Sequence, residues 1–421
     1  MKQKTIKWKR LDNASKIFPA TSNNKDTKVF RLACELYNDV NPKILQRALD
    51  MTLENFPLFT SVLRRGVFWY YFEMGNLKPT VTIESNPVCA PIYIKNMRNL
   101  LFRVSYYKKR INLEVFHALT DGAGCIWFME SLIYYYMTLK YKDYLPKEID
   151  KINYKASISQ KMDDSFERNF NKDLAYRKTF KPSYKKAYQI KGARNQENRM
   201  RLIEGTMSVK TILNLTRKFD TTLTVFLTSL FIYSIYKDMP SNKTNQPIVL
   251  SVPINLRQFY DSYTSRNFFS TMDVSYDFSK NGNELENIIE SVKETFQNEL
   301  TKEKLDLHLY RFMSLERNPI ARIIPLPLKD ITLKIADYFN DRKMTTSISN
   351  IGQIKMPPEF SDYINKFTIC VSARRPKITL CSYKDNLVIS FTSPFENTDI
   401  QRIFFQYLTT NGVDVEITSN F

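Results

Sequence analysis

Histidine, glycine and cysteine are scarce in this chain. Its 421 residues include 2 His, 9 Gly and 5 Cys. So little glycine, beside 18 prolines, excludes a collagen-like or low-complexity chain. The cysteines are too widely and irregularly spaced for a disulfide framework: Cys34, Cys89, Cys125, Cys370 and Cys381. We therefore expect small buried thiols and a reducing, cytoplasmic location.

Long apolar runs are missing as well. The two most apolar stretches, 126–139 and 225–236, are interrupted by polar residues and fall short of the ~20 residues that a membrane-spanning helix needs. The basic N-terminal segment lacks the continuous apolar region of a secretory signal. The sequence therefore predicts no transmembrane helix and leaves only peripheral contact with a membrane open.

Acidic residues are fewer than basic residues. The chain has 43 Asp and Glu against 62 Lys and Arg, a formal net charge of +19. Such a field attracts polyanions or an acidic protein, although a basic surface also serves solubility. There is no basic recognition helix, zinc-finger spacing or RNA-binding aromatic signature, so we expect neither a nucleic-acid partner nor a metal site.

What the chain does have is core-forming residues, 43% hydrophobic and 14% aromatic. Its length exceeds what one ordinary core holds, so two domains or a duplicated pair are expected. A charged, Asn-rich region after about residue 142 is the best candidate for a linker. We place an N-terminal half at 1–150, a linker at 151–204 and a C-terminal half at 205–421.

Local patterns predict strands and helices in both halves. Residues 29–37 resemble a strand, and Asn41 with Pro42 begins an amphipathic helix. A hairpin with a KKRIN turn precedes a helix from about Cys125 to Tyr141, and further helices are expected after Thr221 or Thr222 and near 284–300. Beyond about residue 345 the pattern alternates strands with a helix near 398–408. Each half mixes a sheet with helices, which predicts the α/β or α+β class.

His117 follows the second strand of the hairpin and precedes Asp121, Gly122 and Gly124. A histidine at a strand end can hold a rigid imidazole whose pKa is near operating pH, as a general base requires. The glycines would permit backbone angles that other residues resist. The same residues also suit an ordinary structural turn. The other histidine, His308, is expected on a helix surface without a role.

Residues 116–124, FHALTDGAG, resemble the HxxxDG motif of the CoA-dependent acyltransferase superfamily. This superfamily includes chloramphenicol acetyltransferase, condensation domains of peptide synthetases, wax ester synthases and alcohol acetyltransferases. Further similar segments follow in order: WKRLDNASKIFPA, FRLACELYNDVNPKILQRALDMTLENFPLFTSVLRRG, SVPINLR and SNIG. The resemblance spans nearly the whole chain and is greatest to the bacterial alcohol-acetyltransferase-like branch.

This resemblance implies a fold and a mechanism. The fold is two chloramphenicol-acetyltransferase-like sandwich halves with a tunnel at their interface. Acyl-CoA enters the tunnel from one side as a co-substrate, the acceptor enters from the other, and no cofactor stays bound. By the same resemblance His117 is the general base, and the acyl group passes directly to the acceptor without an acyl-enzyme.

The resemblance also implies roles for residues around His117. Asp121 is structural and pairs with an arginine, for which Arg257 is the first candidate and Arg31 the competitor. Ser349 or Asn350 of SNIG is the candidate for stabilising the oxyanion or contacting the acceptor, against a purely structural role at a strand end. Two departures from the family pattern argue against peptide-bond formation and plant-type acyl transfer. The motif has one His where condensation domains usually have two, and no DFGWG-like segment occurs.

Three functions remain open from the sequence. The first is an acyl-CoA-dependent O-acyltransferase that joins an acyl group, acetyl included, to an alcohol. The second is a stand-alone condensation-type enzyme whose donor is an acidic acyl carrier protein. The third is a catalytically inert binding relative, against which the intact His-Asp-Gly set argues. Acyl length, acceptor and oligomeric state are not indicated.

Overall fold

A computed structural model describes residues 8–75, 77–150, 156–170, 186–196 and 199–421. The strands are β1 (Trp8–Arg10), β2 (Val29–Leu36), β3 (Ser61–Arg65), β4 (Tyr70–Met74), β5 (Thr82–Ile83), β6 (Phe102–Tyr107), β7 (Arg110–Phe116), β8 (Arg201–Ser208), β9 (Ile248–Asn255), β10 (Phe269–Tyr276), β11 (Thr346–Gln353), β12 (Ile364–Val371), β13 (Lys377–Tyr383), β14 (Asn386–Ser393) and β15 (Glu416–Ser419). The helices are α1 (Ile17–Thr21), α2 (Pro42–Asn55), α3 (Gly122–Lys140), α4 (Ile158–Lys161), α5 (Ser165–Arg168), α6 (Val209–Lys218), α7 (Leu223–Asp238), α8 (Leu285–Glu299), α9 (Lys302–Arg317), α10 (Pro319–Ile323), α11 (Leu326–Asp341) and α12 (Asp399–Thr410).

Capping residues decide where the main helices begin. Asn41 accepts hydrogen bonds from the backbone N–H groups of Lys43 and Ile44, so the predicted start of α2 is confirmed. Thr222 caps α7 in the same way. Asp121 caps α3, which therefore begins at Gly122 rather than near Cys125 as expected.

The first large sheet has the strand order β12-β2-β7-β6-β5 and is antiparallel except for the pair β5 and β6. Its hairpin β6–β7 is tighter than the KKRIN turn predicted from sequence. Only Lys108 and Lys109 lie between the two strands, and Lys108 has a left-handed φ of 49°. The rest of the expected turn belongs to β7, which leads directly to His117.

The second large sheet has the order β10-β9-β11-β13-β14-β8-β15. It is antiparallel except around β11, which runs parallel to both β9 and β13. A small antiparallel sheet, β1-β4-β3, lies in the N-terminal part of the chain. Strands and helices mix in both halves, as the predicted class requires.

Strand β12 lies within the predicted C-terminal half but pairs with a strand of the N-terminal half. It pairs along its length with β2, so the sheet that carries His117 is completed by a strand from the C-terminal segment. Residues 364–371 thus contribute to the first sheet although they lie within the predicted C-terminal half, and the boundaries at 150 and 205 stay predictions. A strand's partner across the fold is set by tertiary pairing, which local pattern does not encode.

The region proposed as a linker is ordered in part. Helices α4 and α5 lie within it, and the Lys161 carbonyl accepts hydrogen bonds from the backbone N–H and hydroxyl of Ser265 in the second half. Strand β8 begins at Arg201, before the proposed boundary at 205. The linker residues 151–155, 171–185 and 197–198 lie outside the described part of the chain.

Each half has its own hydrophobic core. Helices α2 and α3 contribute to the core of the first half, and α7, α8 and α12 to that of the second. Among the described residues no single helix is long and apolar enough to cross a membrane. Helices α6 and α7, which meet at a 77° bend, reach the required length and apolar composition only when they are taken together.

Candidate active site

His117 lies where the two halves meet. It follows β7 directly, and its backbone N–H donates to the carbonyl of Lys28 (2.8 Å), which fixes it beside the start of β2. Phe18 stacks on the imidazole at 4.4 Å between ring centroids, and Phe30 contacts it edge-on at 5.1 Å. From the second half, Phe269 lies 5.5 Å away. The ring is therefore held between aromatic side chains of both halves.

Asn267 sets the tautomer of this imidazole. Its amide nitrogen donates to the carbonyl of His117 (3.0 Å) and to the hydroxyl of Ser15 (2.9 Å), so its amide oxygen faces the imidazole. That oxygen lies 3.1 Å from Nδ1 of His117. Because an amide oxygen only accepts, the hydrogen-bond network assigns the proton to Nδ1 and leaves the lone pair on Nε2. An imidazole in this form can act as a base through Nε2.

The network continues into the buried N-terminal segment. The Ser15 hydroxyl donates to Oδ1 of Asp12 (2.5 Å), and the Ser15 backbone N–H donates to the same oxygen (2.8 Å). Asp12 is buried, which raises its pKa to about 6 despite Arg266, whose Nε lies 3.6 Å from Oδ2. A chain of hydrogen bonds therefore runs from Asp12 through Ser15 and Asn267 to His117.

The environment favours the neutral form of His117. Burial of the ring lowers its pKa below the ordinary 6.5, although the nearby Asp121 acts in the opposite direction. Part of the residue's surface remains accessible. His117 is thus neutral at pH 7 and able to accept a proton.

Asp121 joins three segments of the chain. Its Oδ1 accepts from the backbone N–H of Gly124 (3.1 Å) and so caps α3. Its Oδ2 accepts from Nη1 of Arg257 (2.8 Å) and from the backbone N–H of Phe268 (2.8 Å). Asp121 and Arg257 form the ion pair that the resemblance implies, with both side chains 6% exposed. A carboxylate so engaged has a structural role.

Arg257 also organises the loop that carries Asn267. Its guanidinium donates to the backbone carbonyls of Thr264 (2.9 and 3.1 Å), Arg266 (2.5 Å) and Phe268 (3.3 Å). A planar guanidinium offers five donors, which suits it to several acceptors at once. The ion pair with Asp121 therefore fixes the position of Asn267 against His117.

Arg31, the competing candidate, does not reach Asp121. It lies in β2 and pairs with Glu114 (3.0 Å) and Glu84 (2.5 Å). Glu114 lies opposite Arg31 on the neighbouring strand β7, and Glu84 follows β5 in the same sheet. Arg31 belongs to a separate buried ion-pair cluster.

The two glycines of the motif are explained by close contact rather than by backbone angle. The glycines with positive φ in the described chain are Gly352 and Gly412, so the expectation of unusual angles at Gly122 and Gly124 is wrong. A Cβ on Gly124 would lie 2.2 Å from both the Ser265 carbonyl oxygen and the Thr120 hydroxyl. Gly124 thus allows the loop before Asn267 to approach the start of α3.

The SNIG segment forms the end of β11. Asn350 donates to the hydroxyl of Thr224 (3.0 Å) and accepts from the backbone N–H of Gly352 (2.9 Å). Its amide therefore stabilises the end of β11. Strand alternation places Asn350 on the same face of β11 as the buried Ile348, and its role at the oxyanion stays a prediction. Ser349 lies on the opposite face and remains a candidate.

A cavity of about 640 Å³ opens at the interface of the halves, beside the first turns of α3. Its lining includes Trp127, Arg257, Ile351 and Lys355, and neither His117 nor Asn350 is part of it. Carboxylates also line it: Glu130, Asp150 and Glu359. Two cationic residues, Arg257 and Lys355, line it beside these three carboxylates, so the cavity is not predominantly basic.

His308 is not the freely exposed surface histidine that the sequence suggested. It lies in α9, is partly buried, and its Nδ1 is 3.2 Å from the hydroxyl of Ser270 on β10. Burial lowers its pKa. The described geometry connects it to the second sheet and not to His117.

Sequence reasoning missed Asn267, Ser15 and Asp12. Ser15 and Asp12 lie in the opening segment LDNASKIFPA, which carried the resemblance but no assigned role. Asn267 follows SVPINLR by about ten residues, in a loop without a distinctive pattern. The available signal was the similarity of the opening segment to one family, which suggested shared structure and no specific contact.

Comparison of the sequence with protein-family models and with curated protein sequences gives no match. Solved structures do match. F. sporotrichioides TRI101 complexed with coenzyme A and T-2 has a TM-score of 0.65 at 9% identity, over 97% of this chain and 99% of that one. The trichothecene 15-O-acetyltransferase TRI3 of Fusarium sporotrichioides has 0.59 at 9%, over 96% and 95%.

A third match is a starter condensation domain of rhizomide synthetase RzmA, a mutant in complex with C8-CoA and Leu-SNAC. It has a TM-score of 0.61 at 13% identity, over 97% of this chain and 98% of that one. At such identities the likeness concerns architecture, and it extends over almost the entire length of each structure. The chain therefore has the two-half fold shared by CoA-dependent acyltransferases and condensation domains.

Proposed function

We propose that this protein is an acyl-CoA-dependent O-acyltransferase in which His117 is the general base. The observation that carries the proposal is the 3.1 Å contact between Nδ1 of His117 and the amide oxygen of Asn267. It directs the Nδ1 proton to Asn267 and leaves the Nε2 lone pair for a substrate proton, and burial, which lowers the pKa of the imidazole, favours the neutral form. A base needs this combination of geometry and pKa.

The reaction follows from that state. Nε2 accepts the proton of the acceptor hydroxyl while the oxygen attacks the thioester carbonyl, forming the new C–O bond and a tetrahedral oxyanion. The intermediate then breaks its C–S bond, and the departing thiolate of CoA takes the proton from Nε2. His117 returns to its neutral form, so one ester and one thiol are made from one thioester and one alcohol, with no acyl-enzyme.

Other residues act around this proton transfer. Asp121 and Arg257 hold the loop that carries Asn267, so we assign them structural roles. Ser349 is our candidate for contacting the oxyanion or the acceptor, because its hydroxyl is a donor on the face of β11 opposite to Asn350. Donors placed where negative charge develops stabilise the transition state.

Two further findings support the identity of the acyl donor and the cellular location that we propose. TRI101 and the RzmA domain are structures complexed with CoA or an acyl-CoA, which supports acyl-CoA as the co-substrate. All five cysteines of the chain are buried free thiols, which supports the cytoplasmic location that we include in the proposal.

A second candidate is a condensation-type enzyme whose donor is an acidic acyl carrier protein and whose acceptor is an alcohol or amine. It is favoured by the likeness to a condensation domain over 97% of the chain and by the net charge of +19. Such a charge attracts an acidic partner.

A thiol-release assay separates these functions. With acyl-CoAs of graded chain length and a panel of alcohols and amines, we expect CoA release that depends on an alcohol. Release that occurs only with acyl-carrier protein would select the condensation-type enzyme. Binding of CoA without turnover under all these conditions would identify an inert relative.

Replacing Asn267 by aspartate should change the pH dependence of transfer. In the unmodified protein, kcat/KM is expected to fall at pH values below the lowered pKa of His117, because the protonated imidazole cannot accept a proton. A carboxylate beside Nδ1 stabilises the imidazolium and raises that pKa. The acidic limb of the profile in Asn267→Asp should therefore move upward, by about one pH unit.

Asn350→Asp is the matched control, since it makes the same chemical change at a residue of β11 that contacts Thr224 instead of His117. Its acidic limb should stay in place. A loss of rate in Asn267→Asp with an unmoved pH profile would mean that Asn267 supports the loop and does not set the state of His117.

A further inference from the structure

Helix α11 exposes an apolar face. Five of its large apolar residues are between 52% and 57% exposed: Leu328, Ile331, Ile335, Tyr338 and Phe339. At about 100° per residue they fall within an arc of about 100° on the helix. We call this stripe the apolar face of α11. In a surface helix of a globular protein such a stripe ordinarily packs against the core, and here it faces solvent.

The opposite face of α11 attaches the helix to the protein through charge. Asp330 accepts a hydrogen bond from the hydroxyl of Tyr70 (2.8 Å). Asp337 and Asp341 pair with Arg374 at 2.7 and 3.5 Å. These are the three acidic residues of the helix, and all of them are engaged with the body of the protein. The helix is thus oriented with its charged face inward and its apolar face outward.

Cations border the exposed stripe. Lys334, Arg342 and Lys343 are exposed, and the guanidinium of Arg342 lies 5.0 Å from the centre of the Tyr338 ring. Since the acids of α11 face the protein, the outer side of the helix and its C-terminal end carry net positive charge. Long cationic side chains beside apolar residues can keep their charge in a polar layer while their stems lie on apolar surface.

The loop between β3 and β4 extends this surface. The carbonyl of Val67 accepts from the backbone N–H of Leu326 (2.8 Å), and Nζ of Lys329 donates to the carbonyl of Phe68 (3.0 Å). Val67 and Phe68 are 70% and 42% exposed. Exposed apolar side chains of a second segment thus lie beside the start of α11. Apolar side chains that are exposed together mark an interaction surface.

We propose that the apolar face of α11 binds the surface of a bilayer containing anionic lipids. A helix that has Leu, Ile and Phe on one side and is bordered by Lys and Arg lies in the headgroup region, with its apolar side chains at the acyl boundary. Anionic headgroups attract the bordering cations. A second copy of this chain fits less well, because each copy has a net charge of +19 and would bring like charges together.

The proposed surface lies close to the candidate active site. Helix α11 packs against α1, and Phe18 of α1 stacks on the ring of His117. Helices α11 and α1 would therefore both lie between a bound bilayer and the imidazole. The proposal itself concerns binding alone and does not depend on the transferase activity.

Vesicle sedimentation with the full chain tests the proposal. We expect the protein to sediment with vesicles of phosphatidylcholine and phosphatidylglycerol, and at least about tenfold more weakly with phosphatidylcholine alone, because each Lys or Arg near an anionic surface adds to the attraction. Changing Ile331→Ser together with Ile335→Ser should weaken binding to the anionic vesicles by at least about tenfold, since binding scales with buried apolar area.

The double variant Ile83→Ser with Ile417→Ser is the control. These isoleucines are 62% and 48% exposed but lie on other edges of the two large sheets, so their loss should leave sedimentation unchanged. The proposal is overturned if the chain stays in solution with anionic vesicles, or if both double variants bind equally. It is also overturned if the α11 variant abolishes self-association in analytical ultracentrifugation while lipid binding is absent.

Discussion

Replacing His117 by alanine is expected to lower the rate of acyl transfer by about 10²–10⁴-fold. The contact of Nδ1 with the amide oxygen of Asn267 leaves the lone pair of His117 on Nε2, where the proposed mechanism uses it as the base. Without it the acceptor hydroxyl must lose its proton to water, and the leaving thiolate receives none from the enzyme. Steady-state kinetics of CoA release measures the loss, and circular dichroism establishes that the variant is folded.

The chain supplies its own control, since its one other histidine can be changed in the same way. His308 contacts Ser270 on β10 and has no described contact with His117. His308→Ala should therefore keep kcat/KM within about twofold, because a group that does not contact the reacting atoms contributes little to the chemical step. Turnover near the original level in folded His117→Ala would refute the mechanism.

The sequence predicted the strand and the helix on either side of His117, although it placed the start of the helix near Cys125 rather than at Gly122. Strand β7 ends where alternation of apolar residues stops, and the helix after Asp121 follows from its apolar composition. An acidic residue at the first turn of a helix is a strong local signal, because it caps free N–H groups. The Asp121 ion pair with Arg257 could be proposed only through the resemblance, since the two residues are 136 positions apart.

The hydrogen-bond chain to His117 could not be read from the sequence. Asn267 lies 150 residues from His117, and Ser15 lies 252 residues from Asn267. Asparagine and serine are common in turns, where their side chains usually bond to nearby backbone, so their presence alone indicates no long-range contact. The fold decides which of them meet the imidazole.

Two features of the fold were missed for related reasons. Strand β12 was recognised as a strand, but its partner β2 lies on the other side of the proposed boundary. Helix α11 was not predicted, although its apolar residues recur at helical spacing, and the sequence does not show that its acids face the protein and its apolar residues face outward. Charge pairing with Arg374 and neighbouring arginines, which local pattern does not reveal, determines that orientation.

Replacing Arg257 by alanine is expected to destabilise the protein by about 3–5 kcal/mol and to abolish activity with it. The change leaves the buried carboxylate of Asp121 without its ionic partner and three backbone carbonyls without their donor. The loop that carries Asn267 then loses its attachment to α3. The free energy of unfolding, from denaturant titration, and the kinetics of CoA release measure the two effects.

A double-mutant cycle distinguishes this pair from a general effect of removing a buried arginine. Asp121→Asn removes the unpaired charge, so combining it with Arg257→Ala should cost less than the sum of the single changes, with a coupling of about 0.5–3 kcal/mol. Arg31→Ala is the matched control, because Arg31 is an equally buried arginine whose partners are Glu84 and Glu114. When Arg31→Ala is combined with Asp121→Asn, the two changes in the free energy of unfolding should add. If both cycles show the same coupling, the structural role assigned to the Asp121 and Arg257 pair is wrong.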